Sequence, residues 1–205
     1  DEFPFLAELE ALTGEMRSEL LSVWAPGSAG LSPYIQYPPG VPIDQWSELN
    51  HSLDWSAFHF WLYGERVEAN CQLCPRTVAA LDLIDMPRVP GRSPAAMYSI
   101  LRPRTRIPPH TGVANTRLVL HLPLVVPEGC GFRVGGETRP WREGEAWVFD
   151  DTIEHEAWND SDEPRAVLIT DVWSPRLSGE ERELIVALCA ALDRFEGQPG
   201  EGDGL

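Results

Sequence analysis

Between Ala95 and Trp173 the chain breaks into short runs of β-branched, aromatic and leucine residues, separated by Gly, Pro and Asp at intervals of about ten residues. That punctuation is too frequent for helices of useful length, so the region is expected to close on itself as a sandwich or barrel. The strands expected are 96–101, 115–125, 130–134, 145–150, 154–158 and 165–173. In the longest of them, alternation puts Leu118, Leu120, Leu122 and Leu124 on one face and Arg117, Val119 and His121 on the other. Taken alone, the second face reads as the wet side of a half-exposed antiparallel sheet.

The flanks follow a different rhythm. Phe5, Leu6, Leu9, Leu12, Met16, Leu20 and Leu21 fall near the three-and-four spacing of an amphipathic helix, which predicts one helix over 4–24. Repeated Pro and Gly from Ala25 to Gln45 deny the backbone regular structure, so a loop held by packing, and a candidate lid, is expected there. The aromatic stretch 54–63 reads as a strand, Pro75 to Ile84 as a helix with Pro in its first turn, and Gly179 to Phe195 as a closing helix. The Gly- and acid-rich tail 196–205 is expected to carry no function. A hydrophobic content of 43% in 205 residues is enough for one substantial core. One domain over 1–205 is therefore expected, with a helical and loop part (1–94) packed on a β core (95–175).

Charge narrows the partners. Against 32 acidic residues stand 16 basic ones, a formal net charge of -16, which opposes binding to a phosphate backbone or an anionic lipid surface. Nucleic acid and membrane are not expected partners. All sixteen basic residues are arginine, which removes every chemistry needing a Schiff-base or P-loop lysine and fits a GC-rich bacterial genome. Cys71, Cys74, Cys130 and Cys189 are too few and scattered for a disulfide framework, and no apolar run approaches a spanning helix, so the cytoplasm is the expected compartment. Cys71 and Cys74 read as structural thiols, since no second pair completes a zinc site.

Three of the five histidines, His110, His121 and His155, fall in the β region beside strand ends or on an inward face. Closure of the sheet would let His110 and His155 converge across 45 residues of sequence. A pair of imidazoles suits Fe(II), Zn, Cu or Ni, so spacing alone names no metal. His155-Glu156-Ala157-Trp158-Asn159 carries Asn where a zincin helix needs its second histidine, which excludes that class.

From Trp55 to Pro175, about 120 of 205 residues, the chain resembles the aspartyl/asparaginyl β-hydroxylase family of Fe(II)- and 2-oxoglutarate-dependent dioxygenases. The resemblance is carried by the ordered set Tyr98-Ser99-Ile100, Pro109-His110-Thr111-Gly112, Asn115-Thr116-Arg117-Leu118, His121-Leu122, Phe149-Asp150-Asp151, His155-Glu156-Ala157-Trp158 and Asp171-Val172-Trp173. It implies a mainly β fold with flanking helices, a double-stranded β-helix of the jelly-roll or cupin type. It also implies that His110 and His155 hold Fe(II), with Gly112 where most wider relatives have a third, carboxylate ligand. Arg165, ten residues beyond His155, matches the anchor of the distal 2-oxoglutarate carboxylate, with Ser99 assisting. His121 matches a cosubstrate-contacting histidine, and Trp61 a pocket-lining aromatic.

The resemblance further implies hydroxylation of an unactivated C–H with O2, at the β-carbon of an aspartyl, asparaginyl or related residue, free or in a peptide. Val119 departs from it, standing where many members carry a basic residue that would recognise an acidic substrate group. Arg117 remains as a substrate-binding candidate. Nine of the sixteen arginines lie between Arg88 and Arg142, which raises the expectation of a positive mouth and an anionic small-molecule or peptide substrate. Acyl-chain hydroxylation, halogenation at the same two-histidine iron, and a catalytically silent cupin-like binding module stay open as alternatives.

Overall fold

The computed structural model describes residues 2–24 and 30–196. Its elements are α1 (Leu6–Ala11), α2 (Thr13–Val23), β1 (Ser32–Pro33), a 3-10 turn at Asp44–Trp46, β2 (Trp55–Leu62), β3 (Glu65–Arg66), α3 (Glu68–Leu73) and α4 (Pro75–Leu81). There follow β4 (Ala96–Leu101), β5 (Thr105–His110), β6 (Arg117–Val125), β7 (Cys130–Val134), β8 (Glu137–Arg139), β9 (Trp147–Phe149), β10 (His155–Asn159), β11 (Arg165–Trp173) and α5 (Gly179–Glu196).

From β4 to β11 the chain pairs as a folded ribbon, first strand with last: β4 with β11, β5 with β10, β6 with β9 and β7 with β8. Two further pairings, β11 with β6 and β10 with β7, wrap that ribbon into antiparallel sheets ordered β4-β11-β6-β9 and β5-β10-β7-β8. This is the double-stranded β-helix, a jelly roll. β2 and β1 extend the larger sheet beyond β4.

Each face of the larger sheet has its own core. Leu120, Leu122, Leu124, Ala166, Leu168 and Val172 point outward and pack with Leu9, Met16, Leu20 and Val23 of the N-terminal helices. The opposite face, with the smaller sheet, encloses Trp55, Leu101, Ile107, Phe132, Trp141 and Val167. Burying the outer leucines is what lets the inner face of the same strands carry polar groups without solvent.

All six expected β-region strands are present, with ends within about two residues. β5 and β8 are additional. β5 escapes pattern reading because Pro108 and Pro109 lie within it, yet it is an edge strand, where proline's missing N–H costs no ladder bond. The helix expected over 4–24 is two helices, since the backbone leaves helical torsions at Leu12 (φ -90°, ψ 1°). The expected helix from Pro75 ends at Leu81, and α3 was not foreseen. Cys71 and Cys74 are buried and free, as structural thiols should be. Of the proline-rich loop, residues 30–45 are described and lie on the barrel: Gln45 Nε2 donates to the Pro109 carbonyl at 3.1 Å. Residues 25–29 and the tail from 197 onward lie outside the described residues.

Candidate active site

His110 ends β5 and His155 opens β10, and the register sets them directly opposite each other. Their ring centroids are 4.1 Å apart. Each Nδ1 faces a backbone carbonyl two residues earlier, Pro108 O at 2.8 Å and Ile153 O at 2.9 Å. A carbonyl only accepts, so both Nδ1 atoms carry hydrogen and both Nε2 atoms keep a lone pair, the arrangement that orients metal-binding imidazoles. Burial, reinforced by the neighbouring His155, lowers the His110 pKa to about 4, and burial likewise lowers that of His155. Both are neutral at pH 7, the form that ligates.

No third His, Cys, Asp or Glu joins them in a metal-binding group among the described residues. A Cβ at Gly112 would overlap the Asp151 carboxylate, so a side chain there would require Asp151 to move. The Gly112 N–H also donates to the Asp151 backbone carbonyl at 2.7 Å.

Both histidines line a partly open cavity of about 120 Å3 inside the barrel. Its floor is Arg165, only 1% exposed, which lies over the Trp141 ring at 4.5 Å and donates to the Ser99 carbonyl at 3.4 Å. No carboxylate pairs with it among the described residues, and burial lowers its pKa to about 10, still cationic at neutral pH. Arg165 Nε, Trp141 Nε1 and His121 Nδ1 are all buried without a hydrogen-bond partner among the described residues. His121 sits between this floor and the histidine pair, caged by Phe132, Trp141, Trp147 and Phe149. Burial, with Arg165 adding repulsion, holds it neutral. Ser99 Oγ accepts from Trp55 Nε1 at 3.1 Å, which leaves its own hydroxyl proton to give.

Arg117 occupies the more open end of the cavity and is already committed. Its Nη1 donates to Asp151 Oδ2 at 2.9 Å and its Nε lies 3.2 Å from Asp171 Oδ1. Desolvation disfavours its charge, but the two carboxylates outweigh that and raise its pKa. The positive mouth expected from arginine crowding is not formed. From Arg92 to Arg142 every arginine has an acidic partner, Arg104 with Asp162, Arg106 with Asp160 and Arg133 with Glu156 among them.

Trp61 does not line the cavity. A bulge between His59 and Trp61 slips the β2·β4 register by one residue, so Trp61 pairs with Ala96 and joins the outer core beside Phe60, under Arg66. Trp55, on the inner face, takes the lining position, stacked on Tyr34 at 3.9 Å. Trp46 abuts His110 edge-on at 5.2 Å. Asp151 and Asp171 stand in the stretches that carry the resemblance, and Asp171 shares the inward parity of Arg165; that alternation was the available signal for it.

The profile of the aspartyl/asparaginyl β-hydroxylase family matches residues 16–175. The chain belongs to that family. It is 40% identical over 151 residues to human aspartyl/asparaginyl β-hydroxylase, covering 73% of this chain and 20% of the human protein. The chain thus spans about a fifth of that relative's length. The ornithine lipid ester-linked acyl 2-hydroxylase of Rhizobium tropici is 35% identical over 176 residues, 84% of this chain and 58% of that protein. Among solved structures, a predicted oxalate decarboxylase from Thermotoga maritima aligns at a TM-score of 0.36 with 16% identity, covering 58% of this chain and 81% of that one. The span matched by this β-hydroxylase family contains the histidine pair, Ser99, His121 and Arg165. No helix among its described residues is long and apolar enough to cross a membrane.

Proposed function

We propose that the protein is an Fe(II)- and 2-oxoglutarate-dependent oxygenase that hydroxylates an unactivated C–H bond. The observation that carries this reading is one cavity lined both by two neutral imidazoles whose Nε2 atoms keep a lone pair and by a buried arginine that no acid among the described residues neutralises. Imidazole suits iron, and a guanidinium presents paired donors to a carboxylate. The residues therefore fit both a ferrous ion and a diacid. Bound iron with 2-oxoglutarate and O2 supplies the oxidising chemistry, yielding succinate, CO2 and a hydroxylated product.

In this reading His110 and His155 hold the metal, with Nδ1–H bonds to Pro108 and Ile153 fixing their orientation. Arg165 pairs the distal carboxylate of the cosubstrate, and its burial under Trp141 strengthens that pairing by excluding water. Ser99 and neutral His121 offer hydrogen bonds along the same wall. Gly112 keeps the space beside Asp151 free of a third protein ligand.

Anaerobic addition of Fe(II) and 2-oxoglutarate should produce the visible metal-to-ligand charge-transfer band of a chelated keto acid. His155→Ala should abolish it, while Arg165→Ala should shift it to higher 2-oxoglutarate concentrations. A folded protein that gives no band would refute the assignment. The human relative's name points to an aspartyl or asparaginyl substrate and the rhizobial relative's name to an acyl chain.

A further inference from the structure

From Leu184 to Leu192 the chain runs through nine consecutive apolar residues without a charge, all of them in α5. A helix apolar on every side needs cover on every side. One side of α5 has it. Arg182 lies over the Trp173 ring at 5.4 Å and donates to Asp85 Oδ2 at 2.6 Å, Arg92 donates to Asp193 Oδ1 at 2.5 Å, and Val186 and Ala190 line a groove with Met86 and Trp173.

The opposite side is open. Leu184 is 68% exposed, Leu188 60%, Leu192 41% and Phe195 89%, and Ala187 and Ala191 between them are exposed as well. Isolated surface leucines are ordinary, but Leu184, Leu188, Ala191 and Phe195 recur at the four-three-four spacing of a coiled-coil seam and form one stripe along a helix about 27 Å long. The flanking charges say what covers it. At about 100° of turn per residue, Glu180, Ala187 and Arg194 line one edge of the stripe, an acid at the start of the helix and a base at its end, both exposed.

We infer that α5 pairs antiparallel with α5 of a second copy of this chain, about a two-fold axis passing beside Ala187 and Leu188. Such an isologous pair sets Glu180 against the partner's Arg194 twice over, lays each Leu184 against the small Ala191 across the seam, and opposes the two helix dipoles. A parallel pair would put Glu180 against Glu180 and Arg194 against Arg194. Nothing in this contact draws on the oxygenase site, which lies within the barrel.

Sedimentation velocity of the full chain over about two decades of concentration tests the pairing, because a dimer responds to mass action. The 22.9 kDa chain should shift to twice that mass as concentration rises. Leu188→Asp, at the axis, should raise the dimer Kd by at least about 100-fold while leaving the far-ultraviolet circular dichroism and the charge-transfer band unchanged. Glu180→Arg and Arg194→Glu should each raise Kd by about tenfold, and the double variant E180R/R194E should recover most of that loss; a parallel pair would respond to neither change. A chain that stays at 22.9 kDa throughout, or a dimer indifferent to L188D, overturns the inference. So does a monomer that instead cosediments with phosphatidylcholine vesicles, which would give this face to a lipid surface. A dimer unmoved by the charge variants overturns the antiparallel arrangement, and those variants, on the exposed edge, decide the matter even if L188D does not fold. Absence of the charge-transfer band from the wild-type chain bears on the oxygenase reading alone.

Discussion

Two arginines on the same inner surface, Arg165 at the floor of the barrel and Arg117 near its mouth, are held in opposite ways. Among the described residues Arg165 is buried with no acid beside it and an unpartnered Nε. Arg117 is more exposed and carries two carboxylates. An unpaired buried charge is costly, so a fold keeps one only where something else compensates it, whereas a paired one is part of the folded framework. The comparison teaches that an arginine's position in a site says little until its counter-charges are known.

The largest expected effect comes from breaking the paired arginine. Arg117→Ala leaves Asp151 and Asp171 facing each other without their cation, and loss of one member of a buried ion pair costs about 3–5 kcal/mol. Urea unfolding should show that loss, with partial recovery in R117A/D171N. At the floor the sign should invert. Arg165→Met removes a buried charge that no acid neutralises, so the unliganded protein should be no less stable and its melting temperature should hold or rise. The same variant should lose about 1.5–3 kcal/mol of 2-oxoglutarate affinity, the usual contribution of a charge-assisted bond. Calorimetric titration would measure the affinity; a fall in unliganded stability like that of R117A would erase the contrast.

Acidification probes the desolvated imidazoles of the whole fold. Burial lowers His59 and His110 to about 4 and depresses His121 and His155 as well. The unfolded chain binds protons near pH 6.5 while the folded chain refuses them, so stability is fully present above about 6.5 and falls as pH drops toward 4. Asp171, raised by burial, works in the opposite direction as a single group. Urea midpoints between pH 8 and 4.5 should trace this decline, and His59→Gln should make it shallower. The smallest effect belongs to exposed pairs such as Arg104–Asp162. Arg104→Ala should change stability by less than about 1 kcal/mol, within the range of surface salt bridges.

Much of the barrel was legible because β structure writes its faces into the sequence with a period of two. Leu118 to Leu124 and Arg117 to His121 were assigned to opposite faces before any partner strand was known, and the structure makes the first the outer core and the second part of the interior. The histidine pair was legible through its motifs, and the register bears out the meeting of His110 and His155. β5 was hidden by its prolines, which only its edge position excuses. Trp61 was misplaced because a bulge changes parity partway along a strand, and nothing in Phe60-Trp61 announces it. The crowding of arginines was visible, but not their partners: Asp160 and Asp162 lie 54 and 58 residues from Arg106 and Arg104.

Within an unbulged strand the sequence by itself determined which side chains share a face, since alternation is a local property of the extended backbone. Only the tertiary structure decided which of them meet. Closure of β11 against β6 brings Asp171 beside Val119 and Arg117, and the turn before β10 brings Asp151 to the same guanidinium. Charge compensation is a through-space property, fixed by register and sheet closure rather than by spacing along the chain, and so the same residue type could become a framework ion pair at one end and an uncompensated cation at the other.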